Sequence, residues 1–423
     1  MRAALVAGMV LAVALATALV LTTPWHPLGS ASLHPNGHLD FTGAEFARET
    51  AFHKAVRPPA YLSMLLGVIV ACLLGFTRWG GQLVEAVSGG RWWQGVLVGS
   101  VVCAALPRLA SIVADAIAEK GLRTYGLSNQ TWDLWALDQG KSFGLALAIT
   151  APTLLAAIAL ARALPQWWWA VAAALAAVVT VVVSFLYPVL VEPVFNRFTS
   201  LQAGELRESL MKLAADDGIK VDDVLVADAS RRTTALNAYV SGIGSSRRIV
   251  VYDTLLAAAT PAEVRLVVAH ELSHVKHNDV LRGTMIGALA AAMGVCLLGA
   301  ALQWGALTSR AGVSGASDPR AVALVLALSV IATVAIGPLV NLVSRRVEAN
   351  ADVGALSLTH DPATFIATER RLALANLSSL GPNGVAYLLF ATHPSTPERI
   401  ALARAWSVQH GMVPPGPLAL ASR

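Results

Sequence analysis

Polar residues interrupt this chain sparingly, and the apolar stretches between them set its class. Runs of about 20 apolar residues, the length an α-helix needs to cross a hydrocarbon core, fall at 2–23, 60–79, 92–118, 144–164, 167–195, 283–306 and 321–344. Breaks such as Leu164-Pro165-Gln166 and Ser317-Asp318-Pro319 separate them, so the pattern predicts seven transmembrane helices. The third run is interrupted by Pro107-Arg108 and Asp115. Two readings fit it: a shorter span followed by an interfacial helix, or a full span whose polar residues face a wet interior. The first run exceeds the roughly 7 to 15 apolar residues of a signal peptide and is predicted to be a retained span.

Two stretches are too polar to span, 196–282 and 347–423, together the size of one soluble domain. The predicted organisation is therefore an N-terminal membrane region with five spans (1–195), a polar region (196–282), spans six and seven (283–346), and a C-terminal part (347–423) that folds with the polar region. Within the first polar stretch, 201–216 reads as an amphipathic helix. Residues 221–226, 236–240 and 248–252 read as short strands, with a Gly-Ile-Gly-Ser-Ser turn between the last two.

Composition agrees with this pattern. The chain is 56% hydrophobic and only 13% charged, against about 25% charged in ordinary globular proteins, which excludes disorder and a disulfide-stapled module. Its three cysteines all sit inside apolar runs and read as small hydrophobes. The net charge of +5 comes from basic residues scattered over loops, which suits an anionic membrane surface and points to no nucleic-acid partner. With both polar stretches on one face, that face holds 24 Lys and Arg and the other six. The bias predicts that the two polar stretches are cytoplasmic and the N-terminus external, although Arg2 opposes it.

The chemistry is carried by His270-Glu271-Leu272-Ser273-His274, an HExxH motif. Thr260-Pro261-Ala262-Glu263 upstream combines an N-cap, a proline at the first helical position and a glutamate three beyond the cap, so the motif is predicted to lie on a helix. There the i, i+4 spacing puts both imidazoles on one face, able to bind one Zn²⁺ per chain, with Glu271 aimed at a water on the metal. A catalytic zinc needs a third protein ligand and one open position. Glu348 is the candidate, on a second helix just after the seventh span, and Asp352 four residues on could accept the free N–H of a ligating histidine. Glu348 could equally be a surface charge beside Arg345-Arg346, and His277 competes for the ligand role in the same register as His270. His393, in Thr392-His393-Pro394-Ser395-Thr396-Pro397-Glu398-Arg399, is a candidate oxyanion donor or else a turn residue, with Arg399, a candidate substrate-binding residue, on the helix that Ser395 opens.

These residues resemble the type I CAAX prenyl endopeptidase family, integral-membrane zinc proteases with HtpX-type proteases as relatives. The resemblance extends to Phe195-Asn196-Arg197-Phe198-Thr199, to Asn237-Ala238-Tyr239-Val240-Ser241-Gly242 with Arg248-Ile249-Val250-Val251-Tyr252-Asp253-Thr254-Leu255-Leu256, and upstream to Tyr125-Gly126-Leu127 with Trp132, Trp135 and Asp138. It implies Glu348 as third zinc ligand, Asp352 as the aspartate of an ExxxD pair, and His393 with Arg399 as an HPxxxxR pair. It implies a mainly α-helical fold with seven transmembrane helices enclosing a water-filled chamber, an α+β zincin-like domain at its cytoplasmic end, and a peptide bound as an added strand beside Asn237. The expected partners are the lipid bilayer and a peptide or protein substrate, lipidated or membrane-bound.

Two departures bear on this. Ser273 stands where the family often has glycine, and Asn278-Asp279 follows the motif as in the HtpX-type branch. The Ala-rich, Trp-flanked sequence reads as bacterial, so a bacterial inner membrane is expected and an HtpX-like quality-control protease is the main rival. A HExxH buried within a span is rejected because 262–278 carries Glu263, Arg265, Glu271, Lys276 and three histidines. A catalytically silent zinc scaffold would need no Glu271. A transporter would show two related halves with broken helices, which this sequence does not.

Overall fold

The computed structural model describes residues 1–418 apart from Ile243, Ser245 and Ser246. The expected glycine-serine turn at 242–246 thus lies largely outside the described residues. Among the described residues, seven helices are long and apolar enough to cross a membrane: Arg2–Thr22, Gly43–Phe76, Trp92–Thr124, Trp132–Ala163, Trp168–Leu190, Asp279–Ala301 and Val322–Thr359. All seven coincide with the apolar runs, but several are longer. The second starts at Gly43 because Thr42 and Glu45 form a capping box well before the apolar residues begin. It then runs through Pro58 and Pro59.

The third span is one unbroken helix with Pro107 inside it, not a short span with a separate interfacial piece. Its polar residues neutralise one another. Arg108 Nη1 donates to Asp115 Oδ2 at 2.8 Å, Ser63 of the second span donates to Asp115 Oδ1 at 2.5 Å, and Gln139 of the fourth accepts from Arg108. The cluster stitches three spans together, which is how ionisable groups persist at membrane depth.

Spans seven, two, three, four, five and six follow one another round a ring that closes where the sixth meets the seventh, with the first outside against the sixth. One hydrophobic core lies at the end of this ring that holds Val84, Val96, Ile158, Trp168, Ala300 and Leu324. In the middle of the spans little is buried: the seventh has no buried residue between Ala327 and Arg345. The third, fourth and sixth spans bury Ser111 and Ala114, Ala151 and Leu154, and Thr284 and Ala288 nearer their middles.

The second core belongs to the polar stretches. A four-stranded sheet has the order β1-β2-β4-β3, with β1 Phe198–Ser200, β2 Asp223–Ala227, β3 Ala238–Ser241 and β4 Arg248–Tyr252. β2 and β4 are parallel, and β1 and β3 pair antiparallel on either side. The amphipathic helix Glu205–Asp216 and the HExxH helix Pro261–Lys276 bury Leu210, Leu213, Val268 and Leu272 against it. Helices Pro362–Asn376 and Thr396–Gln409 complete the core with Phe365, Ile400 and Trp406. The loop after the first span joins it too: Phe41 is buried there, and Asp40 takes two bonds from Arg404, at 2.8 and 2.5 Å.

Candidate metal centre

The HExxH helix begins as its sequence dictates. Thr260 accepts from the Glu263 backbone at 3.3 Å, Glu263 accepts from the Thr260 backbone at 2.7 Å, and Pro261 takes the first helical position. The helix lies against the seventh span's helix, which does not stop at residue 344 but continues to Thr359. Glu348 therefore sits on a second helix, as expected, but one continuous with the seventh span. The two rods touch at Gly354, where an added Cβ would lie 2.0 Å from Ser273 Oγ. Serine fits in the motif because glycine faces it.

This close crossing brings three donors together. His270 Nε2 lies 3.2 Å from Glu348 Oε2 and 3.2 Å from His274 Nε2, and His274 Nε2 lies 3.7 Å from Glu348 Oε1. Three corners of a tetrahedron with arms of about 2.0–2.1 Å are roughly 3.3 Å apart, so the donor set fits a four-coordinate ion with one position left open. His277 is not part of it: its Nδ1 lies 2.8 Å from the Ser273 carbonyl of its own helix.

The far nitrogens of both rings are held by carboxylates. His270 Nδ1 is 2.9 Å from Asp352 Oδ1, and His274 Nδ1 is 2.9 Å from Asp279 Oδ2. A carboxylate only accepts, so each ring carries its proton on Nδ1 and turns Nε2 toward the metal position. Asp279 was not among the expected site residues. It follows Asn278, whose φ of 56° turns the chain back after the HExxH helix. Asp352 is fully buried and receives a second partner, Arg399, through Nε at 2.9 Å and through Nη2.

Burial pushes the His270 imidazole down, but the bonds to Asp352 and Glu348 outweigh it and lift its pKa to about 10. For His274, burial is likewise overcome by Asp279 and Glu348, and its pKa rises to about 9. Burial raises the carboxyl pKa of Glu271 against the pull of the two histidines, the direction a group needs if it is to take a proton and return it.

A cavity of about 710 Å³ opens on this cluster, lined by His270, Glu271 and His393 on one side and by Arg57 and Tyr61 of the second span on another. His393 reaches in with Nε2 at 3.3 Å from Glu348 Oε2, its side chain 59% exposed. Its loop is fastened by Arg345, which donates to the carbonyls of Tyr387 and Ala391 at 3.1 and 2.6 Å. Asn237 lines the same cavity at the start of β3, its carbonyl accepting from Tyr252 at 3.0 Å. The outer edge of β3 has no strand partner among the described residues. Arg399 lies beneath the histidines, gripping Asp352 and Glu369.

Ring, domain and cluster together define a membrane metalloprotease. The family descriptions agree: "CAAX prenyl protease N-terminal, five membrane helices" matches residues 61–197, and "Peptidase family M48" matches residues 200–407. The chain belongs to peptidase family M48 and is a membrane metalloprotease of the CAAX protease type. Among its relatives is an "Uncharacterized metalloprotease YhfN" of Bacillus subtilis, 30% identical over 71% of each chain. Another is "CAAX prenyl protease 1" of Saccharomyces cerevisiae, 33% identical over 37% of this chain and 35% of that one. The fold is similar to that of the crystal structure of S. mikatae Ste24p, with a TM-score of 0.78 at 21% identity over 95% of this chain and 98% of the other.

Proposed function

We propose that this chain is a zinc metalloendopeptidase that hydrolyses peptide bonds in membrane-associated protein or peptide substrates, with lipidated C-termini as the substrate class suggested by its CAAX prenyl protease relatives. The observation that carries the reading is the convergence of His270, His274 and Glu348 on one point with Glu271 beside it on the cavity wall. When bound there, zinc supplies Lewis acidity and lowers the pKa of a water toward about 7.

The chain's own residues supply the rest. His270, His274 and Glu348 hold the ion, and Asp352 and Asp279 fix the two rings. Glu271 takes the proton of the attacking water and delivers it to the leaving amine. His393 donates toward the oxygen on which charge develops. The edge of β3 without a strand partner among the described residues, just after Asn237, pairs with the substrate backbone and lays it across the cluster. Arg399, the other expected substrate-binding residue, lines the cavity while its guanidinium pairs with Asp352 and Glu369, and it is assigned to hold the site beneath the substrate. The catalytic domain is assigned to the cytoplasmic face of a cell membrane, a bacterial inner membrane, on the 24-to-six distribution of basic residues.

The test is Glu271→Gln in the purified full-length protein. The variant is expected to bind one equivalent of zinc like the parent and to lose at least about a hundredfold in cleavage of a fluorogenic peptide, while chelation abolishes cleavage by the parent. Cleavage retained by Glu271→Gln refutes the assignment. Reporters with and without an isoprenoid group separate a prenyl protease from a quality-control protease.

A further inference from the structure

Beneath the metal cluster lies a buried carboxylate that the proposed mechanism does not use. Glu369, on the helix Pro362–Asn376, is only 4% exposed. Its Oε2 lies 2.7 Å from Arg399 Nη1. The other edge of the same guanidinium, Nε and Nη2, holds Asp352, and Asp352 holds His270 Nδ1. Four side chains from four helices thus form one line ending at a metal donor. Burial works to raise the Glu369 carboxyl pKa while Arg399 pulls the other way and favours the carboxylate, so this is a costly group to keep beside a cavity.

We propose that Glu369 is a positioning residue of the metal centre: it clamps the outer edge of Arg399 so that the inner edge holds Asp352 in place against His270. Two physical reasons support this. A guanidinium tied along one edge can still swing on its alkyl stem, whereas one tied at Nη1 as well is fixed on three nitrogens. Arg399 Nη2 also lies 3.4 Å from His270 Nδ1, so a positive charge faces the ring nitrogen that must carry a proton. A second carboxylate on the far side of Arg399 offsets that charge and leaves Asp352 free to accept from the ring. The inference rests on the metal-centre reading and adds to it a group two partners removed from the ligand His270.

The experiment measures zinc affinity of the full-length protein by competition with a chromophoric chelator, and peptide kinetics alongside. Glu369→Gln keeps the side chain's size and its ability to bond Arg399 while removing the charge. It is expected to weaken zinc binding by about tenfold, as loss of outer partners of a ligating histidine does, to alter the absorption spectrum of the cobalt-substituted protein, and to lower kcat with KM unchanged. Arg370→Gln is the control: the neighbouring residue holds Glu45 and the Asp40 carbonyl on another face of the same helix, and its loss is expected to leave zinc affinity unaltered. In an Asp352→Asn background Glu369→Gln is expected to add no further loss, because the route to His270 is already cut.

The proposal is overturned by wild-type zinc affinity in Glu369→Gln, by an equal loss in Arg370→Gln, or by effects of Glu369→Gln and Asp352→Asn that simply add. A raised KM with zinc affinity intact also overturns it, by placing Glu369 against the substrate. A parent protein that holds no zinc would instead refute the metal-centre reading itself.

Discussion

His270 and His274 converge on one point because each has its second nitrogen occupied by an acid, and this gives the metal-free protein a definite response to pH. Their pKa values lie at about 10 and about 9, above the ordinary imidazole value of about 6.5. A raised folded-state pKa contributes stability that is fully present below about pH 6.5 and is lost as pH climbs through the folded value. Metal-free protein is therefore expected to melt at a lower temperature at pH 9.5 than at pH 6.5. Zinc, which displaces these protons, is expected to bind more tightly over the same rise. Melting curves of chelator-treated protein at the two pH values check this, and a Tm that holds or rises would contradict it. The ligand pair and Glu271 were legible because one helix carries them at fixed spacing. Asp279 was not, since it lies five residues past His274 across a left-handed turn, where no helical periodicity applies. Glu369 reaches the centre only through Arg399 on another helix, a contact that no local pattern encodes.

At the scale of elements, hydropathy located every span but not where its helix ends. The seventh run loses its apolar character at residue 344, yet the helix persists to Thr359 because tertiary partners take over from lipid. Arg345 bonds two carbonyls and Glu348 meets the histidines. Strand β1 went unread because its three residues, Phe198–Ser200, carry too short a pattern and are defined by pairing with β2. The crossing of the HExxH helix and the seventh helix was likewise invisible in either helix alone, since it depends on a small residue on each. Gly354→Ala would place a methyl 2.0 Å from Ser273 Oγ and 2.7 Å from its Cβ. It is expected to cost about 1–3 kcal/mol through overpacking and to separate Glu348 from the imidazoles, which lowers Tm and zinc affinity together. Ser273→Gly in the same chain removes the obstructing atoms and is expected to restore most of both. Thermal melts and chelator competition on the single and double variants check it, and a double variant no better than Gly354→Ala would contradict the steric account.

For the whole molecule, the fold groups the loops into two faces independently of their charge. The first loop is bound to the catalytic domain through Asp40 and Arg404, and by Gln409, which donates to the Leu28 carbonyl at 3.0 Å. The loop after the third span is bound to it where Thr233 and Thr234 donate to the carbonyls of Leu127 and Gly126 at 2.9 and 2.7 Å. Arg162 instead meets the Ser317 carbonyl at 3.2 Å, and Arg320 meets Asp318 at 2.9 Å and Glu85 at 3.6 Å, at the other end of the ring. The division matches the one drawn from basic residues, so packing and charge agree on which loops share a side while charge alone assigns that side to the cytoplasm. Single cysteines separate the two claims. Ser32→Cys and Val413→Cys lie at exposed positions on the domain's face, and Gly90→Cys and Trp304→Cys at exposed positions on the other. In intact cells a membrane-impermeant maleimide is expected to label the second pair alone and to reach the first only after permeabilisation. The native cysteines interfere little, since all three lie within spans and Cys103 and Cys296 are buried. Labelling of Ser32→Cys and Val413→Cys in intact cells would overturn the cytoplasmic assignment but leave the fold standing. Labelling of only one of the two would contradict the fold itself, because the Asp40–Arg404 pair cannot form across a bilayer.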